Sequence, residues 1–187
     1  MRELALHILD LVQNSIEAGA KRVLLEIVED MSTDTLLIRV SDNGKGMDAE
    51  TKKKVVDPFV TSRTTRRVGL GLPLIDMSTK QCDGYLKIES ELGKGTVIEA
   101  AYRHSHLDRP PLGNMLETLK TLIIANPELD FNYRHMVNGE VFILSTCELS
   151  DILAGVPFSH PDVIVWLQAF LSESLNNLYG GAKDENH

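Results

Sequence analysis

The sequence predicts an α/β fold over most of its first half, followed by a small α+β module. Three observations lead to this class. A stretch with helical periodicity opens the chain, apolar runs of strand length follow it, and a further helix lies between the second and third of these runs. The 187 residues are 43% apolar, as is usual for a globular chain with a real core, and they fit one domain with a substantial appendage.

The composition of the chain argues against several classes of function. The net charge of −8 argues against general nucleic-acid binding, which needs a basic footprint. Cys82 and Cys147 form neither a metal-ligand spacing nor a disulfide framework. No apolar run approaches the length of a membrane span, and Glu3 places an acid too early for a signal peptide. We therefore expect a cytoplasmic protein without a membrane or nucleic-acid partner.

Residues 3–18 form the first predicted helix, with the spacing of apolar residues that one buried face requires. A second face is polar and consists of His7, Asp10, Asn14 and Glu17. A solvated surface is one interpretation of this stripe. The other is a metal-phosphate site, because Asn14 offers a neutral oxygen to Mg²⁺ and Asp10 could orient a water or accept a proton.

A glycine turn follows the second of two predicted strands, which cover residues 22–28 and 35–41. The turn reads Asp42-Asn43-Gly44-Lys45-Gly46-Met47. Two glycines with one residue between them let a flat ligand lie against bare backbone. Asp42 could accept a hydrogen bond from an exocyclic amine, such as that of adenine. An ordinary β-turn is the alternative, because Asp, Asn and Gly are the commonest turn residues.

A short helix is predicted over residues 48–56, and a polar, basic stretch with Gly69 and Gly71 then leads into a helix over 72–81. Glycines that open onto a helix N-terminus present free N–H groups to an anion. Arg63, Arg66 and Arg67 add positive charge, although a surface loop with incidental arginines explains them equally well. Strands over 85–90 and 96–102 are joined by a hairpin turn at 93–96.

Four pieces in this order, Asn14 on a helix, Asp42-x-Gly44-x-Gly46, Gly69-x-Gly71 and Gly93-x-Gly95-Thr96, resemble the GHKL superfamily of gyrase, chaperone, histidine-kinase and mismatch-repair ATPases. The resemblance covers about residues 1–103. Residues 11–20 are similar to the mismatch-repair form of the Asn box, whereas residues 57–72 are similar to the short ATP lid of histidine kinases. The resemblance implies a Bergerat-type α/β sandwich, with helices stacked on one mixed sheet.

The resemblance also implies ATP and Mg²⁺ as cofactors and assigns roles to matching positions. Asn14 would bind Mg²⁺, Asp42 would bind the adenine amine, and Asp10 would be the catalytic carboxylate. Contacts to the nucleotide would come from Asn14, Asp42, Gly44, Gly46, Met47, Arg63, Gly69, Leu70, Gly71, Leu72 and Thr96.

Two departures from the family pattern bear on chemistry. Asp10 stands where hydrolytic members carry a Glu, and its shorter side chain would place an attacking water less well. Arg67 or Val68 stands where the lid often has a further glycine. Since no phosphoacceptor-histidine helix pair precedes the Asn box, we expect a stand-alone ATP-binding domain rather than a complete sensor kinase.

In the second half, residues 104–113 are predicted as a linker, 114–180 as the small α+β module and 181–187 as a flexible tail. Asn138-Gly139 is a strong hairpin signal between strands over 130–137 and 140–146. Helices are predicted over 112–125 and about 162–178. His104, His106 and Asp108 suggest a metal site, but a solvated linker is the preferred interpretation.

Two functions follow as hypotheses. The first is a slow ATPase or histidine-kinase-like phosphotransferase that acts on a separate partner protein in signal transduction. The second is a non-catalytic, nucleotide-gated module in which ATP orders residues 57–72 and thereby exposes or hides a partner surface. A mismatch-repair-like dimeric clamp is a third, disfavoured by the short lid and the acidic charge. A homodimer is compatible with each hypothesis.

Overall fold

The computed structural model of the chain describes residues 3–56 and 71–184. Over these residues it has six helices and six strands, in the order α1 (Leu4–Glu17), β1 (Arg22–Asp30), β2 (Thr35–Asp42), α2 (Ala49–Lys54), α3 (Gly71–Gln81), β3 (Tyr85–Glu91), β4 (Gly95–Arg103), α4 (Met115–Ala125), β5 (Asp130–Val137), β6 (Glu140–Ser145), α5 (Thr146–Ile152) and α6 (Pro161–Asp184).

All six strands form one sheet with the order β3-β4-β2-β1-β5-β6. The sheet is mixed, because β1 and β5 are parallel while the other neighbours are antiparallel. The predicted α/β class is therefore confirmed. The two strands predicted for the C-terminal module extend the same sheet, since β5 lies directly beside β1.

The core lies on one face of this sheet. Every second residue of β1 and β2 is buried, as alternation along a strand requires. These side chains pack against apolar residues of α1, α3, α4 and α6 in one continuous cluster. Burying a side chain such as Leu25 or Leu11 contributes about 1.5–3 kcal/mol. On the opposite face Arg39 forms ion pairs with Glu26 and Glu99, so charged residues occupy the centre of the open side.

Helix α1 buries the face that the sequence predicts, including Leu4, Ile8 and Leu11. Its first backbone N–H groups have no partner within the helix. The N–H groups of Leu4 and Ala5 donate instead to the carbonyl oxygens of Pro111 and Leu112, at 2.9 and 2.8 Å. The segment predicted as a linker thus caps the helix that carries Asp10 and Asn14.

A buried polar network joins β1, β5, α6 and the segment after β4. Glu29 on β1 contacts His135 Nε2 through Oε1 and His104 Nε2 through Oε2, both at 3.0 Å. Tyr179 of α6 also donates to Glu29 Oε1, and Tyr133 contacts the other ring nitrogen of His135 at 2.7 Å. Burial alone would raise the pKa of Glu29, but these hydrogen bonds outweigh burial and lower the pKa to about 2.

His104 is therefore bound to Glu29 rather than solvated as the linker interpretation expects. In the described part of the chain, no cluster of three His, Cys, Asp or Glu side chains could hold a metal ion. Helix α6 continues to Asp184, beyond its predicted end and into the predicted tail. No helix among the described residues combines the length and the apolar character that crossing a membrane requires.

Candidate functional site

A cavity of about 220 Å³ opens between the second half of α1, the glycine turn, α2 and β4. Its walls are mostly apolar, and Asn14, Asp42 and Thr96 are among the polar residues that line it. The described residues that line it are Leu11, Asn14, Ser15, Glu17, Ala18, Asp42, Lys45, Gly46, Met47, Thr51, Val55, Leu72, Thr96 and Ile98. Such a combination of apolar walls and few polar groups is typical of small-molecule sites.

The Asp42 carboxylate is fixed at this cavity by two hydrogen bonds. The hydroxyl of Ser15 donates to Asp42 Oδ2 at 2.7 Å, and the N–H of Gly44 donates to Asp42 Oδ1 at 2.8 Å. A carboxylate accepts about four hydrogen bonds, so each oxygen can still accept one from a ligand. Ser15 is itself buried on α1, which ties Asp42 to that helix.

The glycine turn is anchored on both sides. Asn43 Oδ1 accepts hydrogen bonds from the N–H groups of Lys21 and Arg22, at 2.9 and 2.8 Å. The N–H of Lys45 donates to Ala18 O at 2.9 Å, which holds the turn against the end of α1. These contacts bring the turn and α1 together to form one corner of the cavity.

Gly46 allows the β3–β4 hairpin to approach the turn closely. Its φ is +67°, and a Cβ atom built on it would lie 2.0 Å from the carbonyl oxygen of Glu91. The backbone conformation and the lack of space thus both require glycine here. Gly95 packs against Asp42 O in the same manner, with a φ of +99°.

Thr96 lies opposite Asp42 in the β2–β4 pairing and is almost completely buried. Its hydroxyl contacts Ser90 Oγ at 2.8 Å. Ser90 Oγ also accepts a hydrogen bond from the N–H of Met47 at 2.8 Å. The glycine turn, β3 and β4 are therefore joined through two hydroxyl groups at the cavity.

Asn14 lies on the wall of the cavity, whereas Asp10, one turn earlier on α1, is exposed and is not among the described lining residues. Asp10 is instead next to the start of α3, because a Cβ atom built on Gly71 would lie 3.6 Å from Asp10 Oδ2. The N-terminus of α3 and the Asp10 carboxylate are thus neighbours.

Of the predicted site residues, the structure brings Asn14, Asp42, Gly46, Met47, Leu72 and Thr96 together around one cavity. Gly44 lies beside it through its contact with Asp42. Gly71 directly precedes the lining residue Leu72 and is next to Asp10, which is not among the described lining residues. Arg63, Gly69 and Leu70 lie outside the described residues.

Sequence reasoning missed Ser15, Thr51 of α2 and Val55, which directly follows α2. Ser15 directly follows Asn14 and is a polar residue on the predicted apolar face, which is a signal for a buried hydrogen bond. Thr51 and Val55 gave no comparable signal. Asp48 begins α2 by accepting a hydrogen bond from the N–H of Thr51 at 2.7 Å, so this cap helps to place both residues.

The family model described as "Histidine kinase-, DNA gyrase B-, and HSP90-like ATPase" matches residues 2–105, which is more than half of the chain. The chain belongs to this ATPase family. Membership supports nucleotide binding, and the predicted resemblance to the superfamily is confirmed.

Similar proteins in this family include sensor kinases. Sporulation kinase C of Bacillus subtilis (strain 168) is 37% identical over 91 residues, which are 49% of this chain and 21% of that protein. Sensor protein kinase FleS of Pseudomonas aeruginosa is 37% identical over 89 residues, 48% of this chain and 22% of its own length. The chain thus spans about a fifth of the length of these relatives.

Among solved structures, the N-terminal domain of a DNA repair protein is similar with a TM-score of 0.51 and 20% sequence identity. The match covers 78% of this chain and 53% of that chain. At this identity the likeness concerns the fold, and it extends beyond the residues that the family model matches.

Proposed function

We propose that the chain binds ATP with Mg²⁺ in the cavity beside Asp42, and that it hydrolyses ATP slowly or transfers the γ-phosphate to a separate protein. The observation that carries this proposal is the fixed Asp42 carboxylate, whose two oxygens each accept one hydrogen bond and retain capacity for another. A carboxylate in this state accepts a hydrogen bond from the exocyclic amine of adenine.

The walls suit a flat, apolar base. Leu11, Met47 and Ile98 supply apolar surface, and Gly46 also lines the cavity. Thr96 adds a hydroxyl beside Asp42 that can donate to or accept from the edge of the base. An adenine seated here would have its amine at Asp42 and its sugar and phosphates directed out of the apolar part.

Asn14 fits a role as Mg²⁺ ligand. Its amide oxygen is a hard, neutral donor on the cavity wall, and Mg²⁺ usually takes few protein ligands together with phosphate oxygens and water. When bound, the ion would neutralise phosphate charge. Asn14 would hold it, while the first N–H groups of α3, beside Gly71, would attract the phosphates.

Asp10 is the proposed general base. Its carboxylate is next to the N-terminus of α3, where the terminal phosphate is expected under this proposal. From there Oδ2 would accept a proton from the attacking water or from the acceptor group of a partner protein. General-base assistance of this kind is typically worth about 10²–10⁴-fold in rate.

A second candidate is a nucleotide-gated module without catalysis. It is favoured by the exposure of Asp10, which has no hydrogen bond to the residues that the structure describes. In this case the binding of ATP would change a surface that contacts a partner protein, and the ATP would not be hydrolysed.

Single-turnover assays with labelled ATP and saturating Mg²⁺ separate the two candidates. We expect Asp10→Asn to bind ATP normally and to lose about 10²-fold or more in phosphate release or in label transfer to protein in cell extract. Asp10→Glu should raise hydrolysis, because its longer side chain reaches further. Gln13→Ala, on an exposed position of the same helix, is the matched control. Equal rates in all four proteins would exclude the catalytic role.

A further inference from the structure

The two edge strands of the sheet differ in their surface chemistry. On β3 the outward side chains include Lys87, Glu89 and Glu91, and charges of this kind discourage pairing with another strand. On β6 the outward side chains are Val141 and Ile143, which are 43% and 66% exposed. Residues 141–145 carry no charge and no proline. The β6 edge therefore lacks the charges that usually prevent an edge strand from pairing with another strand.

Aromatic side chains lie next to the same edge on the face of the sheet that the helices cover. Phe142 of β6 packs edge-to-face against Phe170 of α6, and Trp166 stacks on Phe170 with ring centroids 5.3 Å apart. Gln168 accepts a hydrogen bond from Lys120, so that side of α6 faces α4. Trp166 and Phe170 are each two residues from Gln168, and two residues correspond to a rotation of about 200° around a helix. Both aromatic side chains therefore lie on the opposite side of α6 from α4, which is the β6 side.

The β6 edge is thus flanked by apolar side chains on both faces of the sheet. Trp166 remains 37% exposed although it is among the largest apolar side chains in the chain. On its far side, β6 has no backbone partner among residues 3–56 and 71–184. A free strand edge between two apolar borders is suited to receive another strand.

We propose that β6 pairs with β6 of a second copy of this chain, in an antiparallel, two-fold symmetric dimer. One sheet would then run through both copies. Trp166 and Phe170, which lie on the β6 side of α6, would then face the second copy.

The register of β6 supports a second copy as the occupant. Two registers are considered. If Phe142 lies on the two-fold axis, Val141 of each copy pairs with Ile143 of the other, and Glu140 of each copy pairs with Leu144 of the other. With Ile143 on the axis, Val141 faces Ser145 and Glu140 faces Thr146. Neither register places like charges opposite each other, which matters in association of two chains that each carry a net charge of −8. In the first register, the exposed apolar residues Val141 and Ile143 of each copy lie beside each other across the axis.

Sedimentation analysis over a wide concentration range tests the dimer. Ile143→Lys and Val141→Lys place a charge on an exposed position, where the folded chain tolerates it. Tyr85→Lys makes the same change on the open face of the other edge strand and is the matched control. We expect wild type and Tyr85→Lys to dimerise alike, and both β6 variants to dissociate at least about tenfold more readily. Circular dichroism and nucleotide binding confirm that the variants are folded.

Hydrogen exchange locates the contact. Amides of β6 should become protected as wild-type protein is concentrated, and Ile143→Lys should abolish this protection. The proposal is wrong if wild type stays monomeric throughout, or if Ile143→Lys leaves the dimer unchanged. It is also wrong if β6 gains protection only when other proteins are added, because the occupant is then an extended segment of a different protein.

Discussion

At the residue scale, the main feature is that Asp42 is held in place by the protein itself. Ser15 and Gly44 each donate a hydrogen bond to it, so its rotamer is set without a ligand. A group that is already oriented loses little conformational entropy when it binds. Under the proposed function, its free lone pairs would accept a hydrogen bond from an amine of the base and would disfavour a carbonyl oxygen at the same position.

We predict that Asp42→Asn weakens adenine-nucleotide binding about 10- to 100-fold or more while the fold is retained. The amide NH₂ can face the adenine amine, and a buried polar group left unpaired costs about 1–3 kcal/mol. Titration calorimetry with ADP measures the loss. Ser15→Ala should lose less, because it removes one support of the carboxylate and not the carboxylate itself. Wild-type affinity in Asp42→Asn would disprove the adenine role.

Asn14→Ala should weaken nucleotide binding only when Mg²⁺ is present. The amide oxygen is proposed to contact the ion, so its removal leaves the base contacts at Asp42 intact. Calorimetry of wild type and variant with Mg²⁺, and again with EDTA, gives the comparison. Equal losses under the two conditions would show that Asn14 contacts the nucleotide directly.

At the element scale, the site depends on how closely the β3–β4 hairpin packs on the glycine turn. Gly46 and Gly93 both have a positive φ, of +67° and +77°. Only at Gly46 would a Cβ atom collide with backbone, because Gly93 has open space around it. The pair therefore separates the cost of the backbone conformation from the cost of close packing.

Gly93→Ala should reduce the free energy of unfolding by about 1–2 kcal/mol, the usual cost of a left-handed conformation. Gly46→Ala should reduce it by about 2–5 kcal/mol, because the collision with Glu91 O adds to that cost. Urea denaturation measures both values. Equal losses would mean that the hairpin moves aside freely.

The network around Glu29 links three elements and the segment after β4, and it predicts a dependence of stability on pH. Glu29 has a folded-state pKa of about 2, below its ordinary value of 4.5. Because the folded pKa is depressed, the stabilisation is present above pH 4.5 and is lost as the pH falls towards 2.

In urea denaturation, the stability advantage of wild type over Glu29→Gln should shrink by about 2–3 kcal/mol between pH 4.5 and pH 2. Glu128→Gln, at an exposed position, is the control and should follow wild type over the whole range. Parallel curves for wild type and Glu29→Gln would contradict the role of the Glu29 carboxylate as acceptor of these hydrogen bonds.

At the scale of the whole molecule, local signals in the sequence predict the elements well. Helical spacing locates α1, and Asn138-Gly139 locates the β5–β6 hairpin. Contacts between distant segments carry no local signal. Glu29 and His135 are 106 residues apart, and the parallel pairing of β1 with β5 leaves no turn motif between the strands. The same reason explains why the polar Ser15 on the apolar face of α1 signals a buried hydrogen bond, while its partner Asp42, 27 residues away, has to be read from the structure.

Because β1 and β5 share one sheet, we predict that both halves of the chain unfold together. Trp166 is the single tryptophan and reports on α6, while far-UV circular dichroism reports on the whole chain. The two urea transitions should coincide. Added ADP should shift the Trp166 transition by about 3 kcal/mol at a hundredfold excess over Kd, although the nucleotide site is in the other half. Separate transitions would show independent units.

The pairing of β1 with β5 also has a consequence during protein synthesis. Arg22 lies beside Asp130, which the ribosome adds 108 residues later. At about 5–20 residues per second, β1 waits roughly 5–20 s for its neighbour. In the last part of that interval the nascent chain contains every residue of the proposed nucleotide site, but one side of β1 is still open. Chaperones that shield unpaired strands would therefore act on this chain while its second half is being translated.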